Sequence, residues 1–390
     1  MGFRDLVLFY AVTGISLRWI ATAASVGASS LAVWLCPWML FYVPLALSVI
    51  ELSSRYPSEG GMYVWATEAF GEGAGFLAGW LYWASNLPYF PTVLFFAASN
   101  ILFLRADWRG QSHNQSYFLL FSLVAMTLLT VVNLIGLNIA KWTYNLGALG
   151  MWLPVAMAAV LGIAAWARFG SATAFSAKRM TPTFDLKSMT LWATLVFALG
   201  GCEAAAFLGG EIKDARRNLP RGLLVAGVTV AFCYILGTFS VLLALPSNET
   251  SILDGVIQAI ERSAARFGIH GVTSSAALLI AVSNIGAAAA FLAAGARLPF
   301  VAGMNGLLPR MFGKIHPTWK TPWVAVLSQG VLGIVFVFIG QAGTTVHGAY
   351  QVLVDNQRNH VHAALLICLR LADSPAKGAR RTGSAARSRR

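Results

Sequence analysis

This chain of 390 residues is short of charge. Asp, Glu, Lys and Arg make up 11% of it, against about 25% in an ordinary soluble domain. With 57% of residues hydrophobic, a soluble globular class is excluded and a polytopic membrane protein is expected. Period-two alternation is also lacking. The apolar segments are long and uniform, which excludes an outer-membrane barrel and leaves a helical bundle whose backbone groups satisfy one another. Cysteine is scarce: Cys36, Cys202, Cys233 and Cys368 all lie in apolar sequence, with neither metal-ligand spacing nor a secreted disulfide framework. The six histidines are scattered, and His360-x-His362 lies in an atypical tail, so no metal is expected. Gly71-x-Gly73-x-Gly75 has no strand before it and no Lys-Ser/Thr after it, so it is not a nucleotide loop. No nucleophile–base constellation is present, and neither enzyme chemistry nor a cofactor is expected. No convincing signal peptide opens the chain, and Gly2 fails the myristoylation pattern.

What is present is basic charge in particular places. The formal net charge is +13, yet seven of the 28 basic residues fall between Arg370 and Arg390. Most of the rest sit in short loops, as the positive-inside rule places them, so nucleic acid is not an expected partner. A crossing needs about 20 apolar residues. Spans are read at 6–30, 31–53, 74–104, 117–137, 144–169, 191–210, a seventh ending at Pro246, 272–301 and 322–340, with a poor tenth starting near Gly348. The segment 248–268 reads as an amphipathic interfacial helix. With a cytoplasmic N-terminus, the inner loops hold Lys141, then Lys213, Arg216, Arg217 and Arg221, then Arg297, Arg310, Lys314 and Lys320. A multi-pass protein of the inner (plasma) membrane is expected, with lipid and a small-molecule substrate as its partners. Oligomeric state carries no signal. After Val354 the apolar pattern collapses, and 355–390 reads as a disordered basic tail whose abrupt start fits a shifted frame or a truncation.

Two irregular points carry the functional reading. In the sixth span, Phe197-Ala198-Leu199-Gly200-Gly201-Cys202-Glu203 sets paired glycines beside an acid at membrane depth. A charge there costs roughly 3 kcal/mol on insertion scales and marks function more often than not. In the first span, Thr13-Gly14-Ile15-Ser16 is followed by Arg18. The points lie five spans apart, at the start of each half. Glycine-interrupted spans in matching positions point to a midplane transport site. A half-helix N-terminus suits a carboxylate and unwound carbonyls suit an ammonium, so a site offering both suits an amino acid.

Further motifs carry a family resemblance. Between the second and third spans stand Glu51-Leu52-Ser53-Ser54-Arg55-Tyr56-Pro57 and Glu59-Gly60-Gly61-Met62-Tyr63, then Ala69-Phe70-Gly71 and Gly75-Phe76-Leu77-Ala78-Gly79-Trp80. After the sixth comes Glu211-Ile212-Lys213-Asp214-Ala215-Arg216-Arg217-Asn218-Leu219-Pro220, and after the eighth Asn305-Gly306-Leu307-Leu308-Pro309 and Thr321-Pro322. Over residues 6 to 350 the chain resembles bacterial permeases of the amino acid–polyamine–organocation superfamily. The resemblance implies an all-α, leucine-transporter-like fold in one transmembrane domain, 1–354, with inverted five-helix repeats at about 6–169 and 190–354. It also implies secondary active transport of amino acids by alternating access. A polyamine or organic-cation carrier stands as one alternative, and because such permeases usually have twelve spans, a transport-inactive truncated permease stands as another.

Carried over by position, the resemblance gives Thr13, Gly14, Ile15 and Ser16 to the substrate carboxylate, though the usual Gly-Ser-Gly-like triplet is missing. Phe197 matches the aromatic that closes over substrate. Ala198, Leu199 and Gly200 match the carbonyls that receive the amine, and Phe291 matches a pocket aromatic. Glu203 looks like the family's coupling carboxylate, and apolar surroundings favour its neutral, proton-carrying form. Ala287-Ala288-Ala289-Ala290 offers no hydroxyl for sodium, so proton coupling or exchange is expected. Arg18 is read as an outer gate paired with Asp355, as the counter-ion of an acidic substrate, or as a packing bridge to Glu203 or Glu51.

Overall fold

The computed structural model describes residues 1–183 and 186–341, and every described regular element is helical. In chain order these are α1 (Phe3–Gly14), α2 (Leu17–Val26), α3 (Ser29–Pro37), α4 (Val43–Arg55), α5 (Met62–Phe70), α6 (Glu72–Ser85), α7 (Tyr89–Ile101), α8 (Gln115–Ile135), α9 (Leu137–Phe169), α10 (Ala177–Met180), α11 (Leu186–Ala198), α12 (Ala215–Ala244), α13 (Gly255–Arg266), α14 (Val272–Met304) and α15 (Trp323–Gln341). A π turn, Trp38–Tyr42, joins α3 to α4, and a 3-10 helix, Ala204–Glu211, follows α11. Among the described residues, eight stretches of 18 to 33 residues are long and apolar enough to cross a bilayer, where about 20 are needed. Leu40, Leu120, Val160, Val228 and Phe232 are more than 60% exposed. Outward apolar side chains on this scale suit lipid and would be a liability in water.

α14 runs through the centre, packed on α9 and α7. A side chain at Gly147 of α9 or Gly286 of α14 would drive a Cβ to within 2.9 Å of the other's backbone, so small residues set this crossing. Polar contacts tie each end of the bundle. At the N-terminal end the Met1 amine donates to the Glu211 carbonyl (2.6 Å), Asn145 to Asp5 (3.3 Å), and Arg297 to Glu211 through Nε (2.9 Å). Here burial and the neighbouring Glu211 push the Glu59 carboxyl up from its usual range. At the opposite end Ser99 Oγ donates to Asp254 (2.8 Å), and Arg109–Glu261 and Arg262–Glu249 pair at the surface.

The structure corrects several expected boundaries. The region 74–104 is two helices, α6 and α7, parted at Asn86-Leu87-Pro88, where Pro88 has no N–H for the preceding turn. α9 begins at Leu137 rather than 144, and α12 at Ala215 rather than after Arg221, because a helix can run past the apolar slab while keeping its backbone bonds. Arg297 is not a loop residue: it lies within α14, 3% exposed, and pairs with Glu211. The amphipathic segment is α13, its apolar face buried. The expected tenth span, Asp355 and the 355–390 tail lie outside the described residues.

Candidate functional site

The first span stops being helical at Gly14. Ile15 (φ −109°, ψ 136°) and Ser16 (φ −141°, ψ 122°) are extended, and α2 resumes at Leu17. The sixth stops at Ala198, unwinds through Gly200 and Gly201, and resumes only as the 3-10 helix from Ala204. Gly201 has φ +100°, and a Cβ there would stand 2.7 Å from the Thr13 carbonyl oxygen. The two breaks therefore meet backbone to backbone, and only glycine permits that approach.

Tyr234 of α12 pins them together. Its hydroxyl lies 3.1 Å from the carbonyls of Gly14 and Ala198, to either of which it can donate, and it accepts the Ser16 N–H at 3.0 Å. The ring is held flat against Trp34 (4.3 Å, 6°), whose indole N–H goes to Thr238. Backbone groups freed by unwinding, which a bilayer cannot hydrate, thus find a partner.

Between the breaks lies a cavity of about 50 Å³. Ligand pockets commonly hold about 300–1,000 Å³, so this one is closed down and its walls must move to admit a substrate. Thr13, Gly14, Ile15, Ser16 and Arg18 line one side, and Phe197, Ala198, Gly200 and Glu203 the other, with Phe291 from α14. Leu199 departs from the sequence reading: it is 1% exposed, belongs to the apolar core, and does not line the cavity. Gly201, singled out in the sequence as part of the break, lines it too, and Trp19, Tyr82, Asn86, Tyr89 and Tyr234 line it but are missed by the sequence reading. The Asn86-Leu87-Pro88 interruption is the signal that could have found Asn86 and its neighbours.

Phe197 packs edge-on against Trp19 (5.6 Å), and Phe291 lies 4.5 Å from Tyr89. Glu203, 2% exposed, accepts from Tyr82 Oη (2.9 Å) and from the Gly201 N–H (3.1 Å). Arg18, also 2% exposed, sits 4.4 Å from the Trp19 ring centre and 5.6 Å from that of Tyr89. Desolvated cation–π contacts of this kind contribute about 2 kcal/mol or more. Neither expected packing bridge forms: Glu51 pairs with Arg55, and Arg18 makes no ion pair among the described residues. The same residues present no group of three or more potential metal ligands.

Two helix breaks joined around a buried cavity with polar groups in its wall are the architecture of a carrier, and comparison with known proteins agrees. The sequence matches the amino acid permease family over residues 6–357. The chain belongs to that family. It is a multi-pass membrane transport protein, not an enzyme. Among the permease's relatives is an uncharacterized transporter of Legionella pneumophila, lpg1691, 28% identical over 90% of this chain and 75% of that protein. The serine/threonine exchanger SteT of Bacillus subtilis is 26% identical, over 86% and 77%. The probable agmatine/putrescine antiporter AguD of Lactococcus lactis is 25% identical, over 82% and 67%. Among solved structures, MhsT in complex with L-phenylalanine superposes with a TM-score of 0.67 at 15% identity, covering 93% of this chain and 87% of that one. That likeness shows the leucine-transporter-like fold.

Proposed function

We propose that this permease moves amino acids across the inner membrane by alternating access, as a proton-coupled carrier or an exchanger, with its N-terminus in the cytoplasm. The observation that carries the reading is the meeting of the two breaks at one closed cavity. The α2 N-terminus offers N–H groups for a carboxylate, and the unwound segment after Ala198 offers carbonyls for an amine. On this reading Thr13 to Ser16 face the carboxylate, and Ala198 and Gly200 the amine. Phe197 and Phe291 close over the ligand. Glu203 carries the coupling proton, and the inverted repeats cover about 6–169 and 190–354. The relatives named for serine/threonine exchange favour an amino acid. Those named for agmatine and putrescine favour the second reading, a diamine carrier.

A melting-temperature scan tests this. Purified permease is heated with each of the twenty amino acids and with putrescine and agmatine. A ligand at a hundred times its dissociation constant stabilises the folded state by about 2.7 kcal/mol. Stabilisation by one or more amino acids, lost in Phe197→Ala, is expected. Stabilisation by diamines alone would move the assignment to the second reading.

A further inference from the structure

Arg18 is the feature that this reading leaves unexplained. It is 2% exposed and lines the central cavity. Its Nε and Nη1 are both buried and without a hydrogen-bond partner among the described residues. Two aromatic rings hold the guanidinium, but rings take its face, and its N–H donors point in its plane. Arginine cannot shed its charge in a protein, so a buried guanidinium calls for an anion. The acid on the cavity wall does not supply one: Glu203 forms no ion pair with Arg18, and its two oxygens accept from Tyr82 and Gly201. Ser16, which lines the same cavity, has a second buried polar atom, its hydroxyl, with no partner among the described residues. One wall of the cavity is thus an unmet demand for negative charge.

We propose that Arg18 binds an anionic group on the substrate's side chain, so that the cavity selects an acidic amino acid over neutral amino acids and rejects diamines. The inference rests on the transport reading and narrows its substrate class. A guanidinium facing a carboxylate takes two parallel hydrogen bonds along an edge that includes Nη2, and Nε and Nη1, one on each such edge, have no partner among the described residues. The α-carboxylate and the amine have the two breaks, which leaves Arg18 for a side-chain carboxylate. A diamine would bring a second cation into a space already holding one, in surroundings that screen charge poorly.

Pairs of ligands that differ only in side-chain charge isolate this effect. Binding of L-glutamate against L-glutamine, and of L-aspartate against L-asparagine, is measured on the full-length protein by thermal shift and by exchange in proteoliposomes, with putrescine as the cationic probe. The expected result is at least a tenfold preference for the acid in one pair and no response to putrescine. Arg18→Gln is expected to erase the preference, Arg18→Lys to retain part of it, and Asp355→Asn to leave it unchanged. The wild-type ranking stands alone if the Arg18 variants fail to fold. Equal or tighter binding of neutral amino acids would overturn the role of Arg18 while leaving amino acid transport intact. Loss of the preference in Asp355→Asn would reassign Arg18 to a gate pair. Binding of no amino acid at all would overturn both readings.

Discussion

The two breaks are built to different standards of self-sufficiency. The one in the sixth span is longer, unwinding from Leu199 to Glu203, yet it satisfies itself. Glu203 takes the Gly201 N–H and the Tyr82 hydroxyl, and Gly200 donates to Phe197 within the turn. The one in the first span is only two extended residues, and it leaves the Ser16 hydroxyl and two Arg18 nitrogens without partners among the described residues. Buried polar atoms are nearly always paired, so a cluster of unpaired ones at a cavity marks the side of the site that awaits a ligand. The sixth-span break is the self-satisfied side of the cavity, and the first-span break is the side with unmet polar groups among the described residues. The substitutions below probe that division.

The largest effect is expected where the breaks touch. Gly201→Ala would force a side chain into φ +100° and press its Cβ to 2.7 Å from the Thr13 carbonyl. Strain and clash together are expected to cost about 3 kcal/mol or more, read as a lowered melting temperature in detergent. Gly73→Ala, which meets nothing within 4 Å, is the control and is expected to change little. If Gly201→Ala melts like wild type, the breaks are not in backbone contact.

Next comes the tyrosine that bridges them. Tyr234→Phe removes the acceptor of the Ser16 N–H and the donor to the two facing carbonyls. A stranded buried N–H costs about 1–3 kcal/mol, and that loss of stability is expected. The ring stays stacked on Trp34, so a much larger loss would mean that the ring, not the hydroxyl, holds the junction.

A paired substitution sharpens the contrast between the two sides. Tyr82→Phe strips Glu203 of a hydrogen bond and is expected to destabilise the ligand-free protein by about 1–2 kcal/mol. Ser16→Ala removes a hydroxyl with no described partner and is expected to leave ligand-free stability within about 0.5 kcal/mol while weakening ligand binding. Equal destabilisation by the two variants would dissolve the distinction.

The breaks themselves are legible in the sequence, since glycines and a charge inside an apolar run are conspicuous. The family motifs between the second and third spans, with the apolar runs, give the fold class. The rest of the site is not legible, for a physical reason. Tyr82, Tyr89, Trp19 and Tyr234 are aromatics in apolar helices, where they look like core or lipid contacts. What makes them cavity residues is the angle at which α2, α6, α7 and α12 converge, and no single-chain pattern encodes that angle. Leu199 fails in the opposite direction: it sits among cavity residues in sequence, but the unwound turn points it into the core. The α6–α7 interruption lies between these cases. Pro88 announces it, yet a hydropathy reading runs straight through a proline flanked by apolar residues.

The smallest effect is expected away from the breaks, where it serves as their reference. Asp254, before α13, accepts from Ser99 Oγ, and burial pushes its carboxyl up from the ordinary 3.8. A raised folded-state value means that the folded protein holds this proton more tightly than the unfolded chain does. Its stabilising contribution is therefore full below about pH 4 and is lost as pH rises through the folded-state value. Melting followed upward from pH 4 is expected to show a decline on the order of 1–2 °C in wild type that is missing from Asp254→Asn. Because Asp254 lies at the end of the bundle and outside the cavity, the same variant is expected to keep the ligand ranking of wild type. A change in that ranking would mean that the end of the bundle and the first-span break are coupled, and that ligand selection extends beyond the cavity wall.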